Sequence, residues 1–137
     1  SHHAVGAAAG LATLRILLGE HLVDNSAAMG RLMGEKLHAA LADHPNVGDI
    51  RGRGLFWGVE LVRDRATKEP FPVKQGVVHH IQDRAFELGL VVYYSVGCAD
   101  GVNGDVVMLG PPLIVNDAQV DEMVNLLAEA IRLELGE

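Results

Sequence analysis

One loop of the sequence brings together side chains that could do chemistry. Cys98 is the single cysteine among the 137 residues, and Asp100 and Asp105 follow it closely. A cysteine nucleophile needs a base beside it in space, which the sequence does not place, so we interpret Cys98 as an unreactive loop thiol. The two aspartates could form a carboxylate pair, but Gly101 and Gly104 between them are typical of a turn. A single cysteine also excludes an intrachain disulfide and a cysteine-rich zinc site.

The histidines could bind a metal ion. His79 and Asp83 stand four residues apart in a predicted helix, a spacing that places both side chains on one face. No third ligand stands near them in the sequence, so we interpret both as exposed residues of an amphipathic helix and predict no metal site. A metal-binding protein that uses His2, His3, His79 and His80 is the alternative.

A glycine-rich segment, Arg51-Gly52-Arg53-Gly54, stands between two predicted strands. Its glycines match the first two of the dinucleotide-binding pattern G-x-G-x-x-G, but Trp57 occupies the third glycine position. The element that follows is a strand, whereas a phosphate-binding loop opens a helix. We therefore interpret the segment as a tight connection between strands that carries two solvated arginines.

The three lysines do not have the setting of a catalytic amine. A lysine that forms a Schiff base must be desolvated, because desolvation lowers its pKa. Lys36 falls on the polar side of a predicted helix, and Lys68 and Lys74 flank a charged loop. The chemistry of the side chains alone therefore leads no further than an α/β domain.

Composition narrows the classes of protein and partner. Hydrophobic residues make up 49% of the chain and charged residues 21%, a balance typical of folded domains. The net charge is -7, from 18 acidic and 11 basic residues, which argues against nucleic acid as the main partner. No apolar run approaches the ~20 residues that cross a bilayer, so we expect no membrane partner. With one cysteine and no visible leader, we predict a reducing cytoplasm.

Apolar periodicity and capping residues predict the elements and their order. The predicted helices cover 6–20, a segment from near Asp24 to just before His44, 73–88, and a last helix that Asn116 caps. The predicted strands cover 47–52, 55–62, 90–95 and 106–109. The apolar run at 90–95 predicts a central, covered strand. We expect an α/β fold of the two-layer α+β kind, with a small mixed, largely antiparallel sheet packed with helices on one side.

Four stretches of the chain together resemble class III aminotransferases, which are pyridoxal-phosphate enzymes of the aspartate aminotransferase fold. Residues 1–11 resemble the family segment S-G-H-P-V-x-x-A-A-G-L, and 47–61 resemble V-x-D-V-R-G-x-G-L-x-x-G-I-E-L. Residues 67–71 are similar to the loop that follows, and 109–115 to L-A-P-P-L-I-I. The order and spacing agree over nearly the whole chain.

The resemblance implies that the chain is the C-terminal portion of a longer enzyme. Residues 1–24 would be a helix of the large domain or domain junction, and 25–137 the C-terminal small domain of a fold-type I enzyme. In the family, the lysine of the internal aldimine and the groups that hold the cofactor precede the segment matched by Ser1. The resemblance therefore gives this chain no catalytic and no cofactor-binding residue. It implies pyridoxal phosphate in a homodimeric parent, and none bound to this portion alone.

The sequence departs from the family pattern at three positions. His2 and Ala4 stand where the family usually has glycine and proline. Met108 stands where many members place an arginine that binds the substrate carboxylate, and methionine cannot do so. The preceding loop, 100–105, resembles a subgroup that includes ω-amine and ω-amino-acid transaminases. We therefore expect a parent that is neither an ornithine-type nor a GABA-type enzyme.

The resemblance also implies a function and a set of candidate residues. The parent would move an amino group between a primary amine or ω-amino acid and a 2-oxo acid, and this portion alone would be inactive. The small domain would close over the substrate, with Met108, Pro111 and Cys98 as candidate substrate-lining residues. Two alternatives stay open: a stand-alone α/β ligand-binding or regulatory module, and a pyridoxal-phosphate-dependent decarboxylase or aminomutase of the same family.

Overall fold

The computed structural model describes residues 3–136, and its elements follow the predicted order. The helices and strands, in chain order, are α1 (Ala4–Gly19), α2 (Leu22–Leu41), β1 (Val47–Arg53), β2 (Phe56–Leu61), α3 (Val77–Glu87), β3 (Tyr93–Val96), β4 (Asp105–Leu109) and α4 (Asp117–Leu135). A short 3-10 turn, Val73–Gln75, precedes α3. The helix predicted over 73–88 is therefore divided, because Gly76 takes a left-handed conformation with φ of 61° between the two pieces.

The four strands form one open sheet in the order β1-β2-β4-β3. Each of its three neighbouring pairs is antiparallel, so the sheet is wholly antiparallel where a mixed one was expected. Strands β2 and β3 run in the same direction, and α3 connects them as the predicted crossover. They are not neighbours, because β4 lies between them and pairs with both.

The predicted strand at 90–95 is wrong in its position within the sheet. Strand β3 begins at Tyr93 and lies at the edge, while β4 is an inner strand. Val91 is 79% exposed and Tyr93 74% exposed, whereas Leu90 and Val92 are buried. The apolar run therefore alternates between core and solvent, and a continuous run of apolar residues is not by itself evidence of a covered strand.

The core lies between one face of the sheet and helices α2, α3 and α4. The alternating residues Val59, Leu61, Val107 and Leu109 point to this side and are buried. The same helices contribute many of the other large buried side chains, among them Met33, Leu37, Ile81, Leu127 and Ile131. The predicted two-layer α+β architecture, with helices on one side of the sheet, is confirmed.

The two long helices begin differently from each other. Helix α4 has the predicted cap: Asn116 Oδ1 accepts from the amide of Gln119 at 2.9 Å, and Gln119 Oε1 accepts from the amide of Asn116 at 3.1 Å. Helix α2 begins at Leu22, so the cap predicted near Asp24 is wrong. The side-chain Nδ2 of Asn25 instead donates to the carbonyls of residues 113 and 115, at 2.7 and 3.0 Å. These two bonds tie α2 to the segment after β4.

Two glycines let α2 approach the β1–β2 hairpin closely. A Cβ at Gly30 would lie 2.0 Å from the carbonyl oxygen of Gly54, and one at Gly34 would lie 2.3 Å from the Trp57 ring. Trp57 Nε1 donates to the same Gly54 carbonyl at 2.9 Å. The hairpin loop is therefore fixed from the helix side and from its own strand.

Helix α1 has no buried residue within the described part of the chain. Its apolar side chains, including Leu11, Leu14, Ile16 and Leu18, are about half to three-quarters exposed. Among residues 3–136, no helix alone has the length and apolarity to cross a bilayer, and α1 with α2 passes that test only as a pair bent by 59°. The division of the chain at residue 24 stays a prediction.

Candidate functional site

The face of the sheet opposite the helices carries a broad depression of about 490 Å³. It lies over β1, β2 and β4, and the loop after β3 closes one side. Gly58 in the middle of β2 creates the space, since a Cβ there would already lie 3.2 Å from a methyl group of Val106. The other side chains that line the depression are those of Arg51, Arg53, Phe56, Ser95, Cys98 and Met108.

Strand register brings two of the three predicted substrate-lining residues into this depression. Met108 pairs with Gly58 on one side and Tyr93 on the other, so it stands in the centre of the open face. Cys98 reaches the same depression from the loop after β3. Pro111 does not: it borders a separate depression of about 320 Å³ between the segment after β4 and α4. Whether any of the three lines a substrate stays a prediction.

Cys98 is exposed and has weak polar neighbours. Its Sγ lies 3.3 Å from the Ser95 hydroxyl and 3.9 Å from the carbonyl oxygen of Val96. Within residues 3–136, no histidine or carboxylate hydrogen-bonds to this thiol. A nucleophile needs such a base, so the geometry favours a passive thiol at the rim of the depression.

The aspartates that flank this loop have separate roles. Asp100 accepts hydrogen bonds from the amides of Asn103 and Val102 and from the Asn103 side chain, and these bonds lower its pKa below the ordinary value. Asp105 is 4% exposed and points to the helix side, where burial raises its pKa and the nearby His79 partly offsets that rise. One carboxylate organises a turn and the other is in the core, so the turn interpretation is favoured over a carboxylate pair.

The two arginines of the hairpin differ, which the sequence interpretation missed. Arg51 Nη1 donates to Asp49 at 2.8 Å and to Glu60 at 2.5 Å. Both bonds raise the pKa of Arg51 above its ordinary value, and the bond to Asp49 has the larger effect. Arg51 is therefore tied to the sheet and not simply solvated. Arg53 is exposed, and its guanidinium has no ion pair with any residue from 3 to 136. Strand parity could not have shown the difference, since 49, 51 and 53 share one face and the deciding partner, Glu60, lies across the hairpin.

The described residues do not fit pyridoxal phosphate as a Schiff-base partner. Lys36 forms an ion pair with Asp121 at the helix layer, and Lys68 donates to the carbonyl of Gly48. Lys74 is exposed. None of these amines lies in the open-face depression or is desolvated by an apolar site, so no step of cofactor chemistry can be assigned to this chain.

The fold does not bring the described histidines of the alternative metal-binding set together. His80 Nδ1 lies 2.9 Å from a carboxylate oxygen of Glu134, and the His79 ring packs edge-on against Tyr94 with ring centres 4.7 Å apart. Across the described residues, no three His, Cys, Asp or Glu side chains converge as metal ligands. His2, a member of the proposed set, lies outside the described residues.

Sequence and structure comparisons extend over most of the chain. The profile of the family described as aminotransferase class-III matches residues 3–131. An uncharacterised aminotransferase of Schizosaccharomyces pombe is 46% identical over 129 residues, which cover 94% of this chain and 28% of that protein. A taurine–pyruvate aminotransferase of Bilophila wadsworthia is 38% identical over 119 residues, covering 87% of this chain and 25% of that protein.

A solved structure agrees with these relatives. A thermostable omega transaminase mutant from Pseudomonas jessenii superposes with a TM-score of 0.77 at 36% identity, over 90% of this chain and 26% of that one. The 137 residues thus span about a quarter of the length of the proteins they match. By sequence over residues 3–131 and by its antiparallel sheet and helix layer, the chain belongs to the class III aminotransferase family.

Proposed function

We propose that this chain is the small-domain portion of an enzyme that moves an amino group from a primary amine or ω-amino acid to a 2-oxo acid. The observation that carries the proposal is the open face of the sheet, where Met108 lies beside Gly58 of the neighbouring strand in a depression of about 490 Å³. The relatives support the reaction class, since one is named for taurine and pyruvate and another as an omega transaminase.

In this proposal the chain shapes a substrate pocket and the rest of the polypeptide supplies the chemistry. Pyridoxal phosphate and the lysine that binds it would belong to the part that the longer relatives have beyond these residues. The open face would cover the bound amine and exclude water from it, with Phe56 and Met108 as apolar surface. Helix α1, whose apolar residues are exposed here, would pack against that other part or against a partner subunit.

Product analysis of the complete polypeptide that contains these residues tests the reaction class. With pyruvate as acceptor, we expect alanine to form in the same molar amount as the amine that is consumed, for β-alanine, taurine or n-propylamine as donor. Carbon dioxide released without alanine would contradict the proposal in favour of a decarboxylase. A rearranged amine without alanine would contradict it in favour of an aminomutase.

The 137 residues alone provide the complementary measurement. Because none of Lys36, Lys68 and Lys74 lies in a desolvated pocket, we expect no amino transfer and no Schiff-base absorbance on adding pyridoxal phosphate. A stoichiometric absorbance band would contradict this, and single Lys→Met variants would then identify the amine responsible. We also propose a homodimeric parent in a reducing cytoplasm, which light scattering and fractionation would test.

A further inference from the structure

The open-face depression has one cation that the fold does not use. Arg51 and Arg53 both stand on the open face, two residues apart on β1 and therefore about 6.6 Å apart along the strand. Arg51 is held by Asp49 and Glu60, while the guanidinium of Arg53 has no carboxylate partner in the described part of the chain. We propose that Arg53 is a substrate-specificity residue that binds the carboxylate or sulfonate end of the amine substrate. This inference rests on the function proposed above.

The backbone that carries Arg53 is fixed, although its side chain is exposed. Arg53 pairs with Phe56 at the last step of the hairpin, and Gly54 follows with φ of 55°, a left-handed conformation that suits glycine. The Gly54 carbonyl accepts from Trp57 Nε1 at 2.9 Å, and α2 approaches it at Gly30. A guanidinium on so rigid a base can be directed at a ligand with little cost in backbone entropy.

Among the charged side chains around the depression, Arg53 is the one whose charge no neighbouring carboxylate balances. The chain has a net charge of -7, yet within the described residues Arg53 has no acidic partner. The acids on the open face nearest to it, Asp49 and Glu60, are already bonded to Arg51 on the far side of Gly52. Tyr93 is the remaining titratable residue on this face of β3. An anion beside Arg53 would therefore contact one unpaired positive charge and no unpaired carboxylate on the open face of the described strands.

The rest of the lining selects the body of the ligand. Beside Arg53 the depression is apolar, with Phe56 and Met108 at its floor and no side chain on Gly58. A guanidinium binds a carboxylate or sulfonate through two parallel N–H donors. The chemistry fits a short apolar chain with an anionic end, as in an ω-amino acid or an aminosulfonate. Met108 cannot bind a substrate carboxylate. Arg53, which lies two strands away on β1, would bind it instead.

The test uses the complete polypeptide loaded with its cofactor and two donors of similar length, β-alanine and n-propylamine. Each donor half-reaction is followed by cofactor absorbance, and binding of the unreactive anion propionate is measured by calorimetry. For Arg53→Gln we expect a loss of about 10- to 100-fold in the rate constant over Kd for β-alanine and in propionate affinity, with n-propylamine unchanged within about twofold. Arg53→Lys keeps the positive charge but loses the two parallel N–H donors, so its rate and affinity for the anionic ligands should lie between those of the wild type and Arg53→Gln.

Arg31→Gln is the matched control. Arg31 is also exposed and without an ion pair within 3–136. It borders a groove between α2 and the hairpin that Arg53 also reaches, but it does not line the open-face depression. It should leave both donors and propionate unchanged. An equal loss for β-alanine and n-propylamine, no loss of propionate affinity in Arg53→Gln, or the same loss in Arg31→Gln would overturn the proposal. If the wild type transfers no amino group, the proposed function fails, whereas the propionate comparison still decides the role of Arg53.

Discussion

The two faces of the sheet are built on different principles. On the covered face, Val59, Leu61 and Val107 are at most 1% exposed and pack against three helices. On the open face, Phe56 is 62% exposed, and the strands carry arginines, a methionine and a glycine at the positions that alternate with the core. The covered face is determined by packing within this chain, while the open face has side chains that packing within it does not explain. Stability and function are therefore separated between alternate residues of the same strands.

Leu61 and Met108 test this separation with the largest expected effect. Leu61 is fully buried in β2, and Leu61→Ala should cost about 2–5 kcal/mol of unfolding free energy through lost burial and a residual cavity. Met108→Ala removes a side chain of similar size from the neighbouring strand but on the open face, and should cost under about 1 kcal/mol. Urea unfolding of both variants at one pH gives the comparison.

Equal losses of unfolding free energy in Leu61→Ala and Met108→Ala would contradict the distinction between the two faces. The open face would then be part of the core, and its depression would need no ligand to explain it. A loss at Leu61 alone would sharpen the distinction and leave Met108 free to be examined for substrate selectivity.

A pair of helical glycines extends the comparison to the helices. In α2, a Cβ at Gly34 would lie 2.3 Å from the Trp57 ring, so Gly34→Ala should destabilise the fold by about 1–3 kcal/mol through overpacking. In α1, a Cβ at Gly10 meets nothing within 4 Å, so Gly10→Ala should stabilise the helix by up to about 1 kcal/mol. Thermal melts followed by circular dichroism measure both, and a loss at Gly10 would show that α1 is packed in solution.

The sequence predicted the covered side of the molecule well, for a physical reason. Helices α3 and α4 and strands β1 and β2 follow apolar periodicity and capping, because burial and backbone hydrogen bonds act on neighbouring residues. The prediction failed where long-range contacts decide. Asn25 resembles a cap but bonds to residues 113 and 115, and the run at 90–95 lies at an edge because β4 pairs with β2.

The candidate site was predicted only in part, for the same reason. Met108 and Cys98 were selected through a resemblance, and strand register and a loop bring them together. The difference between Arg51 and Arg53 depends on Glu60, which is nine residues away and reaches Arg51 only across the hairpin. The sequence near Arg51 shows Asp49 but not Glu60 on β2. The three-dimensional structure was therefore needed to identify Arg53 as the unpaired arginine.

The last prediction compares two aspartates that belong to the two sides. Burial raises the pKa of Asp105, so between the unfolded and the folded pKa the folded state binds more protons than the unfolded state. Its contribution therefore makes the unfolding free energy fall as pH rises through that window. Hydrogen bonds from residues 102 and 103 lower the pKa of Asp100, so its contribution has the opposite sign. That contribution is present above the unfolded pKa and is lost as pH falls towards the folded pKa.

Urea unfolding from about pH 3 to about pH 7 separates these two contributions. Relative to the wild type, Asp105→Asn should gain stability as pH rises, because it removes a buried charge that only His79 offsets. Asp100→Asn should lose stability over the same range, because it removes the negative charge that strengthens these hydrogen bonds and replaces one of the two accepting oxygens with an NH2 group. Slopes of the same sign in the two variants would mean that both carboxylates respond to one environment, and the distinction between core and exposed positions would not extend to the loop before β4 and its first residue.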